Sequence, residues 1–145
     1  MNFRGIQIIA GMLLATTGTP ALAADIQPGL WELVVESKVA AAPDFSPAPA
    51  TMKQCLAERD AQDPSTILGG VANPGATDCT YTEKSFSGNV FRFEMRCAGP
   101  LGIQARGEIA YSASSMDGRI VTVANMAGQP AELRSRITAR RLGGC

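Results

Sequence analysis

Alternation of apolar and charged side chains constrains this chain more than any other feature. It is cleanest between Val90 and Cys97, where Phe91, Phe93, Met95 and Cys97 interleave with Arg92, Glu94 and Arg96. Successive side chains of a strand point to opposite faces, so this pattern predicts a strand buried on one side and wet on the other. The same period recurs earlier, with Trp31, Leu33, Val35 and Val39 set against Glu32, Glu36 and Lys38. It recurs later too: Ile103, Ala105, Ile109 and Tyr111 oppose Gln104, Arg106 and Glu108, and Leu133, Ile137 and Ala139 oppose Arg134, Arg136 and Arg140.

Punctuation between these runs sets the expected strands at 30–39, 51–56, 77–86, 90–97, 101–111, 119–126 and 132–142. Turns are expected at Ser87-Gly88-Asn89, Ala98-Gly99-Pro100, Met116-Asp117-Gly118 and Gly128-Gln129-Pro130. Residues 40–50, rich in Ala and Pro, read as an extended loop. The 57–76 segment breaks the alternation. Asp63 is placed as an N-cap, Pro64 as the first residue of a short helix, Gly69 as its stop and Asn73-Pro74-Gly75 as a turn. The expected fold is all-β: an antiparallel meander of about seven strands forming a strongly curved sheet or a small up-and-down barrel, with a short helix in the 57–76 loop.

The first 23 residues have a different character. Arg4 precedes a short apolar run at 6–15, and a small, polar stretch ends in Ala21-Leu22-Ala23. This layout reads as a secretory signal peptide cut after Ala23, leaving one domain over residues 24–145 in the periplasm with no transmembrane anchor. Its 122 residues would carry 12 basic and 13 acidic side chains, a net charge of −1. That balance argues against a nucleic-acid partner. It conceals a split: residues 24–86 sum to −5, and residues 87–145, with eight arginines and no lysine, sum to +4. Arg92, Arg96, Arg106, Arg134, Arg136 and Arg140 form a candidate surface patch for an anionic partner. The alternative is pairing with Glu94, Glu108 and Glu132 on neighbouring strands.

In an oxidising compartment four cysteines imply two disulfides. The preferred pairing is Cys55–Cys79, stapling the long loop, with Cys97–Cys145 securing the chain end. The rival, Cys79–Cys97 across a hairpin with Cys55–Cys145, stays open. The chain has no histidine. That removes Ser-His-Asp and Cys-His nucleophilic systems and the usual zinc sites. Oxidised cysteines would supply neither a thiolate nor a metal ligand, and no cofactor motif is present. Asp60 and Asp63 are a candidate carboxylate pair in the loop, but capping and solubility account for them better than acid/base work does. The expected protein is a non-enzymatic monomer without metal or cofactor. In one reading Trp31, Phe91, Phe93, Met95, Ile103 and Tyr111 line a cavity for a small apolar or amphipathic ligand; in the bland version they fill the core. In the other, the arginine-bearing outer face serves a cell-envelope interaction or structural role.

Ile26-Gln27-Pro28-Gly29-Leu30-Trp31-Glu32, Lys53-Gln54-Cys55-Leu56, the Ser87-Gly88-Asn89-Val90 turn leading to Cys97, and the terminal Arg141-Leu142-Gly143-Gly144-Cys145 occur in an ordered set. This set resembles a bacterial secreted family known as domain of unknown function 3617, over nearly the whole segment after the signal. The resemblance implies a periplasmic, mostly β, disulfide-bonded domain. It implies no activity, cofactor or catalytic residue.

Overall fold

The computed structural model describes residues 25–63, Ser65 and residues 78–145. The expected signal peptide, the helix expected after Pro64 and the 73–75 turn lie outside the described residues. The elements are β1 (Gly29–Val39), β2 (Ala50–Leu56), α1 (Glu58–Ala61), β3 (Cys79–Ser87), β4 (Val90–Cys97), β5 (Gln104–Tyr111), β6 (Ser115–Met126) and β7 (Gln129–Gly143). The seven strands form one antiparallel sheet in the order β2-β1-β7-β6-β5-β4-β3.

Strands β3 to β7 run as the expected meander. β7 then pairs with β1, so the β1–β2 hairpin joins the far side of the sheet. β2 and β3 are therefore edges and not neighbours, and the sheet is curved but not closed. The reason lies in strand direction. β2 ends at one end of the sheet, whereas Cys79 at the start of β3 pairs with Cys97 at the other. The two ends of the 57–78 link therefore lie at opposite ends of the sheet. Irregular pairing at Leu30/Trp31 in β1 and at Tyr81/Glu83 in β3 adds local bending.

Alternation is realised as expected. Phe91, Phe93, Met95 and Cys97 are buried, while Arg92, Glu94 and Arg96 are exposed. The inner faces of β1, β4, β5, β6 and β7 meet in one core containing Trp31, Leu33, Phe91, Phe93, Ile109, Met116, Ile120 and Ile137. Two inward positions are glycines because nothing larger fits. A Cβ on Gly107 would lie 2.7 Å from the Phe93 ring, and one on Gly118 would collide with the Ile109 side chain.

Gly118 explains one departure from expectation. Met116-Asp117-Gly118 is not a turn but part of β6, with Met116 buried opposite Tyr111 and Ala139. The reversal falls at 112–114, where the Ser112 amide donates to the Ser115 carbonyl at 2.8 Å. Likewise Gln129 and Pro130 already belong to β7. Ala127 and Gly128, with φ of 52° and 81°, make the two-residue hairpin turn. β5 begins at Gln104 rather than Leu101, because the Ala98-Gly99-Pro100 turn extends to Gly102, whose amide donates to Gly99.

Among the described residues of the 57–76 loop is a helix, α1, that precedes the expected one. α1 sets Ala61 into the core. Asp63 still acts as a cap, its carboxylate accepting from the Ser65 amide at 2.9 Å.

The disulfides are Cys55–Cys145 and Cys79–Cys97. This overturns the preferred Cys55–Cys79 and Cys97–Cys145 pairing and selects the rival. Register is the cause. Cys79 and Cys97 stand directly opposite each other in β3 and β4. Cys55 pairs with Leu30, which pairs with Gly143, so residue 145 emerges beside it with Cα atoms 5.9 Å apart.

Candidate functional site

The six inward candidates divide. Trp31, Phe91, Phe93, Met95 and Tyr111 are buried in the core; Ile103, in the β4–β5 connection, is half-buried and lies outside that cluster. The rings pack on one another. Phe91 stacks on Phe93 with centroids 5.4 Å apart, Phe86 stacks on Phe91 from the rim, and Tyr81 meets both Phe91 and Phe93 edge-on. Polar tips are satisfied within the domain: the Trp31 indole donates to the Gln27 carbonyl at 3.0 Å and the Tyr111 hydroxyl to that of Gly88 at 3.3 Å. Trp31, Phe91, Ile103 and Tyr111 wall none of the grooves described below.

All six candidate arginines are exposed on the outer face. Four hold acids: Arg92 with Glu108 at 2.6 Å, and Arg134 with Glu132, Arg136 with Asp117 and Arg140 with Glu32, each at 2.7 Å. Arg96 and Arg106 have no ion pair among the described residues. The Arg92–Glu108 pair follows the sequence alternative, whereas Glu132 pairs with Arg134 on its own strand rather than on a neighbouring one. Glu94 pairs with none of them, and Asp117 and Glu32 take part instead. Exposed pairs of this kind each contribute little, about 0–1 kcal/mol, and salt screens them.

Two larger grooves open on this face. One, of about 710 Å³, crosses β3, β4 and β5. Its charged walls balance, with Lys84, Arg92 and Arg106 against Glu83, Glu94 and Glu108. The other, of about 700 Å³, lies between the Ala/Pro loop and the β1-β7-β6 part of the sheet. Its wall is Ser46-Pro47-Ala48-Pro49. Its floor carries Lys38, Arg119, Arg134 and Arg136 with a single acid, Glu36, and the apolar Val121.

The sequence builds this second site in two steps. Pro43, Pro47 and Pro49 offer no amide donor and restrict φ, so the loop cannot extend the sheet. Its start is tied down by the Ala40 amide to Glu132 and the Phe45 amide to Ala42. Beneath it, register sets Lys38 directly opposite Arg134 and Arg136 directly opposite Arg119. Two like-charged cross-strand pairs therefore occupy adjacent rows, an arrangement that disfavours the sheet by a few tenths to about 1 kcal/mol each. Acids offset part of it: Glu132 pairs with Arg134, and the hydrogen bonds and charge of Asp117, with the charge of Glu36 directly opposite, raise the Arg136 pKa. Lys38 and Arg119 have no ion pair among the described residues. Sequence reasoning found Arg134 and Arg136 but missed Lys38 and Arg119. The signal that unites them is cross-strand register, which no local pattern carries.

Asp60 and Asp63 each have ionic partners of their own. Asp60 pairs with the adjacent Arg59, while Asp63 accepts from the Ser65 amide and hydroxyl and from Lys84. Partial burial pushes the Asp63 carboxyl up, but the Ser65 hydrogen bonds and the Lys84 ammonium outweigh it and hold the pKa below the ordinary aspartate value. Tyr81 is pushed up, by burial first and then by the Asp63 charge.

Two disulfides suit a protein that works outside the cytoplasm. Among the described residues no helix is long and apolar enough to cross a membrane. No curated protein and no solved structure matches the chain. A family model does: residues 26–145, which include every strand and all four cysteines, match the one described as protein of unknown function, DUF3617, and the chain belongs to that family.

Proposed function

We propose that this domain is a non-enzymatic binding module of the periplasm, released from its signal peptide after Ala23, that holds a negatively charged ligand with an apolar portion. The ligand lies in the groove between Ser46–Pro49 and the outer face of β1, β7 and β6. One observation carries the reading: Lys38 opposite Arg134 and Arg119 opposite Arg136, in adjacent rows under an apolar proline wall. An anion bridging these rows relieves the repulsion between them. The proline wall and Val121 offer apolar surface to the rest of the molecule. The volume falls within the range of about 300–1,000 Å³ usual for small-molecule sites. This favours the outer groove over the interior, where ring stacking fills the space around Phe91 and Phe93 and the Trp31 and Tyr111 polar groups are already bonded.

Titration with decyl phosphate, decyl alcohol and inorganic phosphate, followed by backbone amide NMR shifts, tests the reading. Decyl phosphate should bind most tightly, weaken with salt, and shift the amides of residues 36–38, Ser46, Ala48, 119–121 and 134–136. Combining Lys38→Gln with Arg119→Gln should weaken it about tenfold or more, as two charge-assisted contacts are lost. Shifts confined to Trp31, Phe91 and Phe93 would return the ligand to the interior and refute the groove.

A further inference from the structure

Strands alternate in direction, so the β1–β2, β4–β5 and β6–β7 connections all emerge at one end of the sheet. Each carries or adjoins one large apolar side chain in solvent: Phe45 is 60% exposed, Leu101 47% and Met126, the last residue of β6, 60%. Their positions are held by backbone. The Asn125 amide donates to the Leu101 carbonyl at 2.7 Å, which ties the second connection to the strand leading into the third. The Ala40 amide donates to Glu132, which ties the first connection to the strand leaving the third. At the opposite end the turns present Gly88-Asn89 and Ser112-Ala113-Ser114. The exposed apolar residues there, Phe86 and Leu142, lie within strands, and Phe86 stacks on Phe91.

We infer that the three-loop end is a docking surface for a lipid bilayer bearing anionic headgroups, with Phe45, Leu101 and Met126 entering the interfacial layer and the adjoining cationic groove taking a headgroup phosphate. The choice of an anionic bilayer rests on the groove reading above. Apolar groups on separate tips suit a soft, continuous apolar phase that receives each tip independently. Charge complementarity comes from the groove. Lys38 is one residue before the β1 terminus and Arg134 lies near the start of β7, so both stand close behind the tips. Lys38 and Arg119 lack ion pairs among the described residues. Asp44, beside Phe45, Glu132, which pairs with Arg134, and Asp78 are acidic groups at the same end, so attachment depends on the apolar tips as well as on charge. Each tip removed takes one apolar side chain out of the interfacial layer and should weaken binding by about tenfold, which is about 1.4 kcal/mol.

The test is flotation of the oxidised protein with phosphatidylcholine vesicles made with and without phosphatidylglycerol. Wild-type protein should float with the phosphatidylglycerol vesicles and less with phosphatidylcholine alone. Replacing Phe45, Leu101 and Met126 together by serine should abolish flotation while leaving decyl phosphate binding intact. Leu142→Ser, at the opposite end, should leave flotation unchanged. Failure of wild-type protein to float overturns the inference; if decyl phosphate still binds, the groove reading survives. Flotation that persists in the triple variant, or that is lost in Leu142→Ser, overturns it as well.

Discussion

Replacing Gly107 by alanine adds one methyl group to a place already occupied. The new Cβ would sit 2.7 and 2.8 Å from two carbons of the Phe93 ring and 3.0 Å from the Arg119 carbonyl oxygen. The ring has little room to retreat: it is 3% exposed, stacked on Phe91 and met edge-on by Tyr81 at 5.7 Å. The carbonyl belongs to the neighbouring strand and cannot move without disturbing the sheet. Overpacking of this sort costs about 1–3 kcal/mol. Lower entropy of the unfolded chain returns about 0.4–1 kcal/mol. The net expectation is a loss of about 1–2 kcal/mol, read as a lower urea midpoint at unchanged slope. Phe93→Leu alone should also destabilise. Joined to Gly107→Ala it should cost less than the two single losses combined, with a coupling of about 1 kcal/mol, because the smaller side chain vacates the space the methyl needs. A Gly107→Ala protein as stable as wild type, or strict additivity in the double variant, would refute the claim that Phe93 requires the glycine.

Two further outcomes follow from covalent and ionic links. Peptide mapping without reduction should recover Cys55 linked to Cys145 and Cys79 linked to Cys97. In the loop-entropy model, serine at both Cys55 and Cys145, which close 90 residues, should cost about 4–5 kcal/mol, and serine at Cys79 and Cys97, which close 18, about 3 kcal/mol. Equal losses, or peptides joined 55 to 79, would contradict this. The depressed Asp63 pKa means that its stabilising effect is present above the unfolded value of 3.8 and is lost as pH falls through the lower folded value. Asp63→Asn should therefore lower stability at neutral pH and flatten the acid limb of the stability curve below about pH 4; an unchanged acid limb would assign that limb to other carboxylates.

Faces of strands were legible because period two is a local property. Phe91, Phe93 and Met95 could be placed inward from their neighbours alone. Gly118 shows where local reading fails. After Met116-Asp117 a glycine looks like a turn, yet this one is present because Ile109 lies over it from the next strand. The disulfides failed for a related reason: proximity of Cys55 to Cys145 runs through the register of β2 on β1 and of β1 on β7. The groove was half legible. Arg134 and Arg136 announce themselves by alternation on one strand. Lys38 and Arg119 join them only when strands about 100 and 15 residues away in the chain come alongside.

β7 is the last strand delivered as the chain is made, and it occupies the middle of the sheet between β1 and β6. A chain emerging N-terminus first can form the β1–β2 hairpin early, but that hairpin has no neighbour to cover its inner face until residues 129–143 arrive. The meander from β3 to β6 waits for the same strand. Assembly is thus gated by residues 129–143, and the Cys55–Cys145 bond locks only after that strand is seated. Until residues 129–143 are seated the inner faces on both sides stay uncovered, and cleavage within β7 removes the middle of the fold rather than trimming its edge.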